Sequence, residues 1–136
     1  MALKLTNNSP KIKAMIDQKS AIFLEEAKSL IASQASSNTK RVTGQLSNSF
    51  LSDSKVDKGK NTAYIGSNVK YAPYYEMGTG EYALKGNGRK GGWCYRDPKT
   101  GKLVFTRGSQ PRRPLYKAYM SKKSAVENRA KEVFKL

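Results

Sequence analysis

WCYRDPKTGKLVFT, residues 93–106, is followed after four intervening residues by PRRPLYKAYMSKKSAVENRAKEVFKL, residues 111–136, and in this stretch a strand pair gives way to a helix. Trp93–Arg96 and Lys102–Thr106 flank Asp97-Pro98-Lys99-Thr100-Gly101, whose Pro, Lys, Thr and Gly suit a chain reversal, so a hairpin is predicted. From Pro114 to the end, Leu115, Tyr119, Val126 and Val133 fall near one stripe, with Ala118, Ala125 and Ala130 beside it. Lys122, Lys123, Arg129 and Lys131 lie largely elsewhere, which predicts an amphipathic helix over 114–136 with Pro114 in its first turn.

Upstream, YAPYYEMGTGEYALKGNGRKGG (71–92) turns from aromatic to glycine-rich, with Gly78, Gly80, Gly86, Gly88, Gly91 and Gly92. That many glycines predict a long mobile loop rather than a packed element, one that orders on binding. Residues 43–66 are read as a connection and strands. Phe50–Val56 and Thr62–Gly66 are predicted strands around the polar turn DKGKN, and 34–49 is a polar connection turning at Gly44. Over 10–33 the spacing predicts a second amphipathic helix, capped by Ser9 and opened by Pro10. Its stripe of Ile12, Met15, Ile16, Phe23, Ala27, Leu30 and Ile31 should face the core. The expected fold is α+β in one domain, 1–136: an antiparallel sheet covered by an N-terminal and a C-terminal amphipathic helix, with a long Gly-rich basic loop.

Composition narrows the function. The chain has 26 Lys and Arg against 10 Asp and Glu and no histidine, a net charge of +16. Without histidine there is no Ser-His or Cys-His nucleophilic pair and no imidazole metal ligand. Cys94 stands alone, so it supplies neither an internal disulfide nor a thiolate cage, and it reads as a strand residue. The ten acids are scattered along the chain, giving no sign of a paired-carboxylate site. Gly86-Asn87-Gly88-Arg89-Lys90-Gly91 has the letters of a dinucleotide-binding turn, but a strand rather than a helix is expected after it, which removes the helix terminus such a site needs. No enzyme, cofactor or metal is expected. The longest strongly apolar run is Ile22-Phe23-Leu24, and MALKLTNNSP lacks a secretory apolar core, so the expectation is a soluble protein made inside the cell, with no membrane partner.

The charge is concentrated. Between Tyr82 and Lys117 lie Lys85, Arg89, Lys90, Arg96, Lys99, Lys102, Arg107, Arg112, Arg113 and Lys117 against Asp97 alone, a net +9. Such a segment prefers an anionic partner, either nucleic acid or an acidic protein face. Tyr71, Tyr74, Tyr75, Tyr82, Trp93, Tyr95, Phe105, Tyr116 and Tyr119 are interleaved with or flank these cations. Rings of this kind suit base stacking and protein interfaces equally, so the residues alone leave both readings open.

One succession goes further. Thr43-Gly44-Gln45-Leu46-Ser47-Asn48-Ser49, Ile65-Gly66-Ser67, Tyr71-Ala72-Pro73-Tyr74-Tyr75-Glu76-Met77-Gly78-Thr79 and Pro111-Arg112-Arg113-Pro114-Leu115 resemble, in this order, the small tail-completion proteins of long-tailed double-stranded DNA bacteriophages. These are also described as head-tail joining or minor tail proteins. The resemblance spans roughly Lys40 to the end and is most specific at Tyr71, Ala72, Glu76, Gly78 and Thr79, with Thr43, Gly44, Leu46 and Pro114 as the other motif residues. It departs at Leu115, where members commonly carry an aromatic residue. It implies a virion protein, made in the host bacterial cytoplasm, that assembles as a ring, expected to be a hexamer. The implied neighbours are the tail-tube protein and the head-completion or connector proteins, with double-stranded DNA passing through without sequence readout. Under this reading Lys85, Arg89, Lys90, Arg96, Arg107, Arg112 and Arg113 contact an anionic partner. Glu76, a lone acid among aromatic residues, reads equally as an ordinary exposed carboxylate or as one half of an ion pair with a loop arginine, within or between subunits. The alternative is a nucleic-acid-binding protein using the basic aromatic segment 82–117.

Overall fold

A computed structural model describes residues 3–135. The elements are α1 (Ser9–Asn38), α2 (Gln45–Asp53), β1 (Lys55–Asp57), β2 (Thr62–Tyr64), α3 (Ala72–Met77), β3 (Trp93–Arg96), β4 (Leu103–Thr106) and α4 (Pro114–Val133), with a single 3-10 turn at Gly80–Tyr82. The fold is α+β. Its strands form two separate antiparallel pairs, β1 with β2 and β3 with β4. In the second pair Trp93 lies opposite Thr106 and Arg96 opposite Leu103. The reversal between them is closed by the Asp97 amide donating to the Lys102 carbonyl (2.9 Å) and the Gly101 amide donating to the Asp97 carbonyl (2.7 Å). Arg96 adds a bond from Nη1 to the Gly101 carbonyl, 2.7 Å.

The two long helices form the frame. Asn38, at the end of α1, donates from Nδ2 to the carbonyl of Pro114, the first residue of α4 (3.2 Å). A dozen residues back, Glu26 accepts a two-pronged bond from Arg129, near the other end of α4. Phe23 meets Phe134 edge to face at 5.9 Å. The pairs run in opposite order along the two helices, which are therefore antiparallel. Arg129 also bonds Glu132 at 2.9 Å, and its fork holds the Glu26 carboxyl below the ordinary carboxylate range, against the opposing effect of desolvation.

At ~1.5 Å per residue, the 30 residues of α1 reach about 45 Å and the 20 of α4 about 30 Å, so α1 outruns its partner. The overhang is its N-terminal third. Every residue from Ser9 to Gln18 is exposed.

The core sits at the other end, where Ala35 of α1, Leu46 and Phe50 of α2 and Ala118 of α4 are buried together, flanked by Ile31, Val69, Ala72, Tyr75 and Leu115. Alanines at the crossing of α1 and α4 let the backbones come close enough for the two larger side chains of α2 to fill the remaining angle.

Three predicted boundaries are corrected. Helix 10–33 continues to Asn38, and Asn8 rather than Ser9 occupies its N-cap, with the Asn7 Oδ1 accepting from the Ser9 amide at 3.0 Å. The continuation is polar in composition because serines serve the helix as small side chains whose hydroxyls fold back on the backbone. Ser37 donates to the Ser33 carbonyl at 3.0 Å, and Thr39 does the same to Ala35 at 2.8 Å. The predicted strand Phe50–Val56 is instead mostly helix α2, with strand only from Lys55 to Asp57. There Leu46 and Phe50, four apart, supply the buried stripe, and Ser49 and Ser54 bond back to the Leu46 and Phe50 carbonyls at 2.6 Å each. Gly44, predicted as the turn, stands before α2 with φ +82°, a left-handed position glycine occupies without penalty.

Candidate assembly surface

Motif residues far apart in sequence meet at the start of α4, while the 65–67 segment bonds to Ser49 and Ser54. Glu76, in α3, accepts from the Leu115 amide through Oε2 (3.0 Å) and from the Tyr116 amide through Oε1 (3.1 Å). These are two of the unpartnered amides that open any helix, and no residue next to them in the chain caps them. Glu76 is therefore a cap supplied from 39 residues upstream, its charge facing the positive end of the helix dipole. Within the subunit this takes the place of a pairing with a loop arginine. The loop pair that does form is Arg107 with Glu81, at 3.6 Å.

Around this cap, the Arg112 amide donates to the Tyr75 carbonyl (3.0 Å), and the Lys40 amide donates to the Tyr75 hydroxyl (3.1 Å). Thr43 accepts from the Gln45 amide at 3.3 Å, Leu46 is buried, and Tyr71 precedes α3 with its carbonyl taking the Tyr75 amide at 3.1 Å. Pro114 is fully buried at the first turn of α4. The motif thus ties α2, α3 and α4 together.

The glycine-rich loop is anchored at its first turn, while Gly86 and Gly91 further along it stand in open space. Thr79 and Glu81 donate their amides to the carbonyls of Ser109 and Arg107, both at 2.9 Å, and the Ser109 amide returns a bond to Thr79 Oγ1 at 2.8 Å. A methyl carbon on Gly80 would lie 2.2 Å from the Arg107 carbonyl oxygen, one on Gly108 2.1 Å from that of Thr79, and one on Gly88 2.0 Å from that of Gly80. These glycines permit backbone to lie against backbone. Composition shows the number of glycines but not which of them are in contact.

The basic residues divide by what they touch. Arg96 closes its own turn, and Arg107 meets Glu81. Arg89 lies over Trp93 at 5.7 Å, Arg112 over Tyr75 at 5.6 Å and Arg113 over Tyr116 at 3.7 Å. Arg113 also holds a left-handed backbone, φ +51°, just before Pro114, and its Nε is buried with no hydrogen-bond partner. Lys85 and Lys90 project into solvent. Lys85 and Arg89 border a cleft of about 540 Å³ that α3 closes with Tyr74 and Met77. The predicted contact residues thus differ in how far they are engaged within the chain. Several of the arginines lie on the protein's own rings.

Sequence reasoning missed the largest feature. The stripe on α1 was read as core-facing throughout, yet Ile12, Met15 and Ile16 are 54%, 55% and 50% exposed, because α4 ends at the level of Phe23. The β3–β4 pair adds Leu103 at 70% and Phe105 at 58%. The chain exposes 10,159 Å² in all. A folded monomer of 15.1 kDa is expected to expose about 7,100 Å², so roughly 3,000 Å² is in excess. The predicted helices 10–33 and 114–136 are nearly equal in length, so the mismatch shows only in the structure, where a 20-residue helix cannot cover a 30-residue one.

Among the described residues, no three Asp, Glu or Cys side chains gather as a metal site, and no helix is long and apolar enough to cross a membrane. No protein-family model, curated protein or solved structure matches the chain.

Proposed function

We propose that this chain is a structural virion component that completes a phage tail and joins it to the head connector as an oligomeric ring, a hexamer by the resemblance at Tyr71–Thr79. The observation behind the assembly part is the uncovered surface. A subunit in a ring gives about 800 Å² to each of two junctions, and the surplus of roughly 3,000 Å² accommodates both and a contact with the tail tube besides. The motif supports the family part, and its residues serve the fold rather than a reaction. The basic segment then faces an anionic neighbour or the DNA that passes through.

The second reading, nucleic-acid binding, draws on the exposed lysines and the exposed Tyr74, Tyr95 and Tyr116. It is weakened by the stacking of Arg89, Arg112 and Arg113 on the chain's own aromatic rings. Sedimentation combined with a salt titration on duplex and single-stranded DNA separates the two. The ring reading predicts a discrete species several times the monomer mass and weak, sequence-blind DNA binding. A monomer that holds DNA at physiological salt and releases it along a steep log-log slope, as counterion release requires, would overturn that reading.

A further inference from the structure

We propose that neighbouring copies join head to tail, with the projecting end of α1 from one copy seated in the groove between α1 and α4 of the next. This inference rests on the ring reading and names its junction.

The ridge is formed by Ile12, Met15 and Ile16. It belongs to the stripe that α4 covers further along the same helix, where Phe23 meets Phe134. An apolar helix face that loses its cover at the end of its partner is completed by side chains from a second molecule. The groove is open, about 770 Å³, and presents the apolar Leu30 and Ala125 among small serines. Leu30 lies two turns beyond Phe23 and is itself 36% exposed. Side chains three and four apart on one helix form a ridge suited to such a furrow.

The charges are opposite in sign but small. Glu25, Glu26 and Glu132 line this groove with Lys122 and Arg129, a net −1 in which Glu25 is paired with Lys28 and the other two acids with Arg129. The ridge is flanked by Lys11, Lys13 and Lys19 with Asp17 as its one acid. The basic ridge and the groove are different parts of the surface. Contacts of that kind are heterologous, and they propagate until they close into a ring, whereas a ridge-to-ridge contact stops at a dimer.

Single-cysteine variants test the junction. In a Cys94→Ser background, which removes the exposed native thiol, Ile16→Cys and Leu30→Cys proteins are mixed under conditions where the chain sediments as rings and treated with a short bismaleimide. The expected result is a cross-linked dimer in the mixture and monomer from either variant alone. Cross-linking of Ile16→Cys by itself would show symmetric pairing and overturn the proposal. Rings that form without any cross-link would overturn it while leaving ring assembly standing, and absence of rings from the unmodified chain would remove both. An Ile12→Asp, Ile16→Asp double variant provides the independent arm. Both side chains are exposed, so it should unfold at the temperature of the dissociated wild-type subunit but sediment as a monomer; intact rings would contradict the junction.

Discussion

Replacing Gly80 by alanine is expected to lower the unfolding free energy by about 3 kcal/mol, the sum of left-handed strain and the broken contacts that a side chain forces there. Gly80 has φ +62°, where a residue with Cβ is strained by about 1 to 2 kcal/mol. Its Cβ would lie 2.2 Å from the Arg107 carbonyl oxygen and 2.9 Å from the Gly108 Cα, and both neighbours are backbone that cannot rotate away. Relief requires the Thr79–Glu81 segment to separate from Arg107–Ser109, releasing the bonds from Thr79 to Ser109 and from Glu81 to Arg107. Urea denaturation gives the loss, and hydrogen exchange at the Thr79 and Glu81 amides reports the separation. Gly86→Ala is the control. Its φ is +68° with nothing within 4 Å, so only the conformational strain of about 1 kcal/mol applies. Equal, small effects of the two substitutions would mean that the loop is not held against the 107–109 segment.

Removing the carboxylate of Glu76 comes next in size. Glu76→Ala is expected to cost about 2 kcal/mol, as a helix cap with charge–dipole support does. Two amides, those of Leu115 and Tyr116, lose their acceptor together, and no local side chain takes its place. Glu76→Gln should cost nearly as much, because the amide group keeps one acceptor but turns a donor toward the other N–H. The decisive feature is where the loss appears. A cap acts within one chain, so the isolated subunit melts earlier and the first turn of α4 exchanges faster. An intersubunit ion pair would leave the isolated subunit unchanged and weaken assembly alone. A wild-type melting curve for both variants would therefore refute the capping role.

The elements that could be read from sequence were those with a strong period or a marked turn. Asp97–Gly101 identifies the second hairpin because Asp, Pro and Gly each favour the reversal by their own chemistry. Pro114 opens α4, and the apolar repeat carries it to Val133. α2 was obscured because a short helix with only Leu46 and Phe50 inward, and serines between, has the composition of a loop. Its serines are satisfied by backbone carbonyls, a bond that composition cannot express. The candidate surface was less legible still. The Tyr71–Thr79 motif was recognisable, but its work as a cap and staple depends on contacts with residues about 30 to 40 positions later. The uncovered ridge of α1 is apolar in the same way as a buried stripe, and only the shorter reach of α4 tells them apart.

A chain that completes a tail would use its surplus surface for assembly and its motif as internal scaffolding. Electron microscopy of tail tubes incubated with the purified chain tests this most directly. The account predicts a ring-shaped cap on one end of each tube, formed by the wild type and lost with the Ile12→Asp, Ile16→Asp variant. Tubes left bare, or decorated along their sides without preference for an end, would contradict it.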